Sequence, residues 1–392
     1  MKVLVVGGAG YIGSHAVREC RRCGIQPVIF DNLSTGNALS VEGDDLIQGN
    51  LHSARDLRST FESQAFDAVF HFAASCSVPE SMENPALYYH NNVAGTLNLV
   101  DAMLAAGVYG DPEETPIPED HLKRPVNPYG ESKLLVEKLL SAIAEKHPLR
   151  YIALRYFNAA GADPEGGIGE DHEQESHLIP LIFQTALGLR GTFKIFGTDY
   201  ETPDGTCIRD FVHVTDIARA HLLALEKMDH LPRCAYNLGS SDGYSVQEVI
   251  NEAQILSGVT IPVVEEARRD GDPPVLVASN ELAGSELGWK PEHSELTEIL
   301  QTAWKWHSSH PHGFGSPPES HSLGKAGSTE LFGDVAVRLG LVSKSDVERA
   351  LEDQRKEAAT GADHKMIGMH MLEMGILSTS QLIEILKHYE QR

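Results

Sequence analysis

Cysteine is scarce, with five in 392 residues. An odd and small number cannot staple a chain of this length, so a disulfide framework is excluded and reduced thiols are expected. Cys20 and Cys23 form a lone Cys-x-x-Cys with no second pair to close a tetrahedral zinc site, and no metal site is expected. Positive charge is also short. Lys and Arg number 32 against 56 Asp and Glu, a formal net charge of −24, and such a field opposes a phosphate backbone, so nucleic acid is not an expected partner. No apolar run approaches the roughly 20 residues of a membrane span. The opening Met1 to Val6 runs straight into glycines without a cleavage region. These features lead to the expectation of a cytoplasmic protein with no membrane contact.

What the chain does contain is core. At 41% hydrophobic and 22% charged residues, its length allows two or three domains at roughly 150 residues each. Short apolar runs at Lys2 to Val6, Gln26 to Phe30, Asp67 to Phe72 and Tyr151 to Arg155 alternate with helical periods. That pattern predicts an α/β fold with a doubly wound parallel sheet. From about Gly161 loops dominate, with the acidic stretch Asp163 to Ser176 and the Gly/Asp-rich segment Gly197 to Asp210, lengths that usually carry function. A Ser/Pro/Gly-rich stretch follows, in which His307, His310, His312 and His321 lack ligand spacing and read as solvated linker.

Gly7-Gly8-Ala9-Gly10-Tyr11-Ile12-Gly13 leaves a buried strand and opens a helix. Glycines at 7, 10 and 13 let the backbone turn, approach a pyrophosphate and pack helix on strand, while the helix N-terminus supplies the positive pole. Asp31 ends the next strand, 18 residues after Gly13, where a carboxylate accepts from ribose hydroxyls and repels a 2′-phosphate. NAD is therefore the expected cofactor. Tyr129 and Lys133 stand one turn apart on a helical stretch. A nearby ammonium and a bound nicotinamide's charge lower a tyrosine pKa toward working pH, which fits Tyr129 as general base.

With these residues in place, the chain over about residues 1–313 resembles the extended short-chain dehydrogenase/reductases and, within them, the UDP-glucose 4-epimerase family. The likeness rests on His71-Phe72-Ala73-Ala74, Tyr88-Tyr89-His90-Asn91-Asn92-Val93, Asn127 to Lys133, Leu154-Arg155-Tyr156-Phe157-Asn158, and above all Asp204-Gly205-Thr206-Cys207-Ile208-Arg209-Asp210-Phe211-Val212-His213-Val214. It implies a Rossmann part (1–162) that binds NAD through Gly7, Gly10, Tyr11, Ile12, Gly13, Asp31, Asn32, Asn50, Phe72, Ala73, Ala74, Asn91, Tyr129, Lys133 and Tyr156. It implies an interleaved, smaller substrate-binding α/β part (163–313) that holds uridine diphosphate through Asn158, His177, Leu178, Lys194, Ile195, Phe196, Arg209, Arg269 and Asp272. The implied reaction is reversible 4-epimerisation of UDP-glucose and UDP-galactose through a 4-keto sugar, with Tyr129 and Lys133 catalytic, NAD retained, and the protein a homodimer.

The sequence departs from the family in one large respect. Ala105-Ala106-Gly107-Val108 runs directly into Tyr109-Gly110, so about eleven residues that would form a buried parallel strand are absent. The family's catalytic serine or threonine, at the end of that strand, has no counterpart. Loss of a proton-relaying hydroxyl typically costs 10²–10⁴-fold in rate. The alternative reading is therefore a catalytically impaired NAD and nucleotide-sugar binding protein with a regulatory or interaction role. Cys76 stands where some members carry a phosphate-binding lysine and is expected to be a small packed residue.

Residues 314–328 read as a linker and 329–392 as a helical module built from a two-unit repeat. Phe332-Gly333, Gly340-Leu341-Val342-Ser343, Val347 and Leu351 recur 35 residues later as Ile367-Gly368, Gly375-Ile376-Leu377-Ser378, Leu382 and Leu386. The module weakly resembles the paired repeat at the N-terminus of type II secretion ATPases, which implies a protein or nucleotide ligand.

Overall fold

The computed structural model describes residues 1–106, 127–172, 175–231, 234–269 and 272–315, and in the C-terminal part residues 336–339, 341–347, 349–350, 371, 374, 376 and 377. Its two compact units are Met1–Pro318 and Glu319–Arg392.

In the first unit, β1 (Lys2–Val6) is a continuous aliphatic run, as a strand covered on both faces requires. Parallel neighbours flank it, β2 (Gln26–Asp31) on one side and β4 (Ala68–His71) on the other, with Val5 opposite Ile29 and Phe70. β3 (Asp45–Gln48) extends the sheet beyond β2, giving the order β3-β2-β1-β4. Successive side chains of β1 feed opposite faces. Val3 and Val5 pack with Ala16 and Val17 of α1 (Tyr11–Arg22), while Leu4 and Val6 pack with Leu57 and Phe61 of α2 (Ala54–Ser63) and Leu99 of α3 (Gly95–Ala106). Arg21 and Arg22 close the last turn of α1, where cations meet the negative end of the dipole.

The second half of the sheet is detached. α4 (Pro128–Ala144) leads to β5 (Ala153–Arg155), which among the described residues pairs in parallel with β10 (Ala235–Asn237). Among the described residues no strand joins β4 to β5, and the sheet stands as two pieces. The abrupt Val108-Tyr109 junction lies outside the described residues.

Small sheets build the substrate side. β6 (Asn158–Ala160) pairs with β9 (Phe211–His213), β7 (Phe193–Phe196) with β12 (Val263–Glu266), and β8 (Ile208–Arg209) lies between β11 (Tyr244–Ser245) and β13 (Val275–Leu276). Their core also takes in α5 (Leu178–Ala186), α7 (Val246–Ser257) and α8 (Leu296–Ser309), while α6 (Val214–Lys227) packs along α1. A capping box starts α7, with Ser245 and Glu248 each satisfying the other's backbone N–H.

Two expectations need correction here. His307 is not solvated linker: it is buried on α8, its ring 6.2 Å from Phe183. His310 is stacked 4.0 Å from Trp306, and Phe314, expected to begin the linker, packs 4.9 Å from the same indole. All five cysteines are free. Among the described residues no helix is long and apolar enough to cross a membrane.

In the second unit Ala336, Ala350, Met371 and Leu377 form one buried cluster. The Leu341 N–H donates to the Ala336 carbonyl at 3.0 Å and the Ile376 N–H to the Met371 carbonyl at 2.9 Å, the same bond made 35 residues apart. Ser343 caps the helical residues after it by accepting from the Asp346 N–H.

Candidate active site

Gly7 leaves β1 with φ +77°, a left-handed turn that glycine adopts without strain. A Cβ there would lie 2.5 Å from the Ala73 nitrogen, and one on Gly13 only 2.1 Å from the Gly7 carbonyl oxygen. The loop is thus packed to backbone contact against the residues after β4. Gly10 is the N-cap of α1 and offers no side-chain cap, leaving first-turn N–H groups and the positive pole of the helix open. Such a cradle fits a dinucleotide pyrophosphate.

The buried Asp31 does something the sequence did not announce: it accepts from the Ala9 N–H (3.0 Å) and the Leu33 N–H (2.8 Å), fixing the glycine loop itself. Its remaining lone pairs are the ones available to ribose hydroxyls. Tyr11 donates its hydroxyl to the Gly161 carbonyl at 2.7 Å, and Ile12 packs against the cluster around Tyr236. Asn32 and Asn50 accept from the backbone of Ser34 and His52, and the Phe72 and Ala73 N–H groups both donate to the Val6 carbonyl. Ala74 is half-buried beside them.

On the chemical side, Asn127 caps α4 by accepting from the Gly130 N–H at 2.8 Å, with Pro128 in the first turn. Tyr129 and Lys133 share a face, the ammonium 5.6 Å from the phenol ring centroid. The Tyr88 ring meets Tyr129 edge-on at 6.4 Å. Burial pushes Tyr129 up to about 12, with the Cys76 thiol adding to the rise, so the lowering expected from Lys133 is not seen. Burial of its ammonium also lowers Lys133, although the residue as a whole is exposed. Tyr156, half-buried, is raised as well, by burial first and then by Tyr129. Among the described residues no serine or threonine hydroxyl bonds the Tyr129 phenol. Ser132 faces away, donating to the Tyr129 carbonyl (2.7 Å) and accepting from Asn92 Nδ2 (3.0 Å). Cys76, expected to be packed, is exposed.

Asn92 ties this helix to the cofactor side. Its amide accepts from the Ser75 N–H (2.8 Å) and donates to the Ser75 carbonyl (3.1 Å) and to Ser132 Oγ, while Asn91 donates to Ser75 Oγ at 3.2 Å. α4 is therefore clamped to the segment following β4 where the sheet itself is interrupted. Sequence reasoning treated Asn92 only as part of a string.

On the substrate side Arg209 meets the Asp272 carboxylate and donates to the Pro273 carbonyl at 2.9 Å, and the Arg269 guanidinium lies 4.0 Å over the Phe196 ring. Asn158 donates to the Asp210 carbonyl at 2.7 Å, and His177 and Leu178 open α5. Lys194 is exposed and paired with Glu266, and Ile195 turns into the core, which leaves only its backbone for a ligand. Sequence reasoning missed Arg268, 4.2 Å over the Tyr200 ring and bonded to Asp199. It also missed the partners of His177. Hydrogen bonds to Glu170 and Glu175 push that imidazole up to about 11; the Glu-x-His-x-x-Glu-x-His spacing from Glu170 was the signal.

A glycine cradle after β1, an open helix pole and a Tyr/Lys helix clamped beside it define a class: the chain belongs to the NAD dependent epimerase/dehydratase family, whose model matches residues 3–239. Within that class it is 44% identical over 328 residues to the UDP-glucose 4-epimerase of Lacticaseibacillus casei, covering 80% of this chain and 99% of that protein. Among solved structures it is similar to the UDP-glucose 4-epimerase from Brucella ovis in complex with NAD, at TM-score 0.74 and 46% identity, covering 78% of this chain and 97% of that one. The Bifidobacterium longum enzyme in complex with NAD⁺ and UDP gives TM-score 0.74 at 32% identity, covering 80% and 100%.

Proposed function

We propose that this protein interconverts UDP-glucose and UDP-galactose through a 4-keto sugar, with NAD held throughout the cycle. The observation that supports the reading is the Asn92 clamp, which ties the helix bearing Tyr129 and Lys133 to the segment that follows β4. NAD supplies hydride acceptance and return. Gly7, Gly10 and Gly13 admit its pyrophosphate to the α1 pole, and Asp31 takes ribose hydroxyls. Tyr129 accepts the proton of the sugar 4-hydroxyl and gives it back, the phenolate being favoured by Lys133 only together with the positive charge of the bound nicotinamide. Arg209 and Arg269 bind the diphosphate, their planar forks suited to bidentate contact, while Asn158, His177, Leu178 and the Lys194 to Phe196 strand border the nucleotide. The exposed Val78, Met82, Leu87 and Leu97 offer apolar surface for a homodimer, which sedimentation would detect.

That no serine or threonine hydroxyl bonds the Tyr129 phenol among the described residues favours the second reading, an impaired binder. Adding UDP-galactose to the purified holoprotein while following reduced-nicotinamide absorbance and UDP-glucose formation separates the two. Formation of UDP-glucose supports the epimerase. Accumulation of reduced cofactor without UDP-glucose, or no response to UDP-galactose, overturns it.

A further inference from the structure

We propose that Glu170, His172, Glu175 and His177 form a four-coordinate site for a divalent transition metal of the zinc class. Each residue offers one ligand atom, and the four atoms lie within 4.8 Å of one another. His177 Nδ1 is 2.8 Å from a Glu170 oxygen and 3.1 Å from a Glu175 oxygen, and His172 Nδ1 is 3.4 and 3.3 Å from the same two carboxylates. A tetrahedron with bonds of about 2.1 Å has edges of about 3.4 Å, which the His172 separations match, and a small outward shift of His177 brings its closer donor pairs to the same spacing.

Charge points the same way. Both carboxylates are only 5% exposed, and among the described residues neither meets a lysine or arginine. One divalent cation balances both and leaves the imidazoles neutral, whereas two imidazolium protons are the competing way to balance them. Two nitrogen donors favour zinc-like ions over calcium or magnesium, which take oxygen. Four protein ligands close the coordination sphere, the mark of a structural site.

Its surroundings give the metal a task. The Glu170 carbonyl accepts from Trp306 Nε1 at 2.9 Å, the Glu175 carboxylate accepts from the Ser176 and His177 N–H groups at 2.7 Å, and His172 meets the Tyr11 ring edge-on at 6.4 Å. A bound ion would pin the loop that leads into α5 against the helix opened by the glycine cradle.

The test uses the full chain without a histidine tag, stripped of metal and with NAD retained, titrated with Co²⁺ and separately with Zn²⁺. The expected result is about one equivalent per chain with a strong tetrahedral Co²⁺ visible band, and a melting temperature raised by Zn²⁺ and not by Mg²⁺. In His172→Ala/His177→Ala the band disappears and Zn²⁺ affinity falls at least 10–100-fold. A wild-type chain that takes up no Co²⁺ or Zn²⁺ overturns the proposal, as does a double variant that keeps its stoichiometry and band, since the metal would then sit on other histidines. Should the double variant fail to fold, Glu170→Gln provides the second measurement: a shifted Co²⁺ band supports the site and an unchanged one overturns it.

Discussion

The two sides of the cleft are built by different rules. On the cofactor side the geometry is made by backbone: Gly13 would put a Cβ 2.1 Å from the Gly7 oxygen, and Asp31 holds the loop through two N–H groups. On the chemical side Tyr129 and Lys133 ride on a helix fastened by side chains, through Asn92, Ser75 and Ser132. A backbone site tolerates almost no change and so leaves a legible motif. A helix held by a side-chain clamp does not depend on a strand beside it to keep its place.

The comparison breaks most severely at the base. Tyr129→Phe should lower epimerase turnover by about 10²–10⁴-fold while NAD stays bound, as a coupled assay and cofactor release on denaturation would show. Equal turnover would remove Tyr129 from the chemistry. Next comes repair. Inserting a strand that ends in a Ser/Thr run between Val108 and Tyr109, a position outside the described residues, should recover about 10²-fold in turnover if the hydroxyl is what is missing. An unchanged rate would mean that proton transfer has another route.

Two substitutions then weigh the two sides against each other. Gly13→Ala should destabilise by about 1–3 kcal/mol through backbone overpacking and also reduce NAD content. Asn92→Ala should cost a similar 1–3 kcal/mol by stranding the Ser75 backbone N–H and carbonyl and breaking the link to Ser132, yet lower turnover while leaving NAD content nearer to normal. Denaturant melts with NAD quantitation read both, and identical profiles would erase the distinction. The smallest effect belongs to truncation after Pro318. It keeps Phe314 on Trp306 and should change the first unit's stability by less than about 0.5 kcal/mol, checked by its melting curve.

Legibility in the sequence followed the same division. β1, β2 and α4 were readable because unbroken aliphatic runs and a capped helix declare themselves locally. Strands of two residues such as β8 and β13 could not be read, since their pairing is wholly tertiary. Within the site, the glycines, Asp31, Tyr129 and Lys133 were visible as motif. Asn92 and Arg268 were not, because their roles depend on Ser132 and Tyr200, far away in the chain. His307 misled because its neighbours are serine and histidine, although helical periodicity from Leu296 carries it into the core.

The repeated bond of the C-terminal unit has a consequence for cooperativity. Ala336 and Ala350 come from the first repeat, Met371 and Leu377 from the second, and all four enclose one apolar cluster. Neither half holds enough of that cluster to exclude water alone, so the two should melt in a single transition rather than one after the other. By the same reasoning, a chain cut between the repeats should yield two fragments that are unstructured apart and reassociate when mixed, with the internal duplication acting as its own partner.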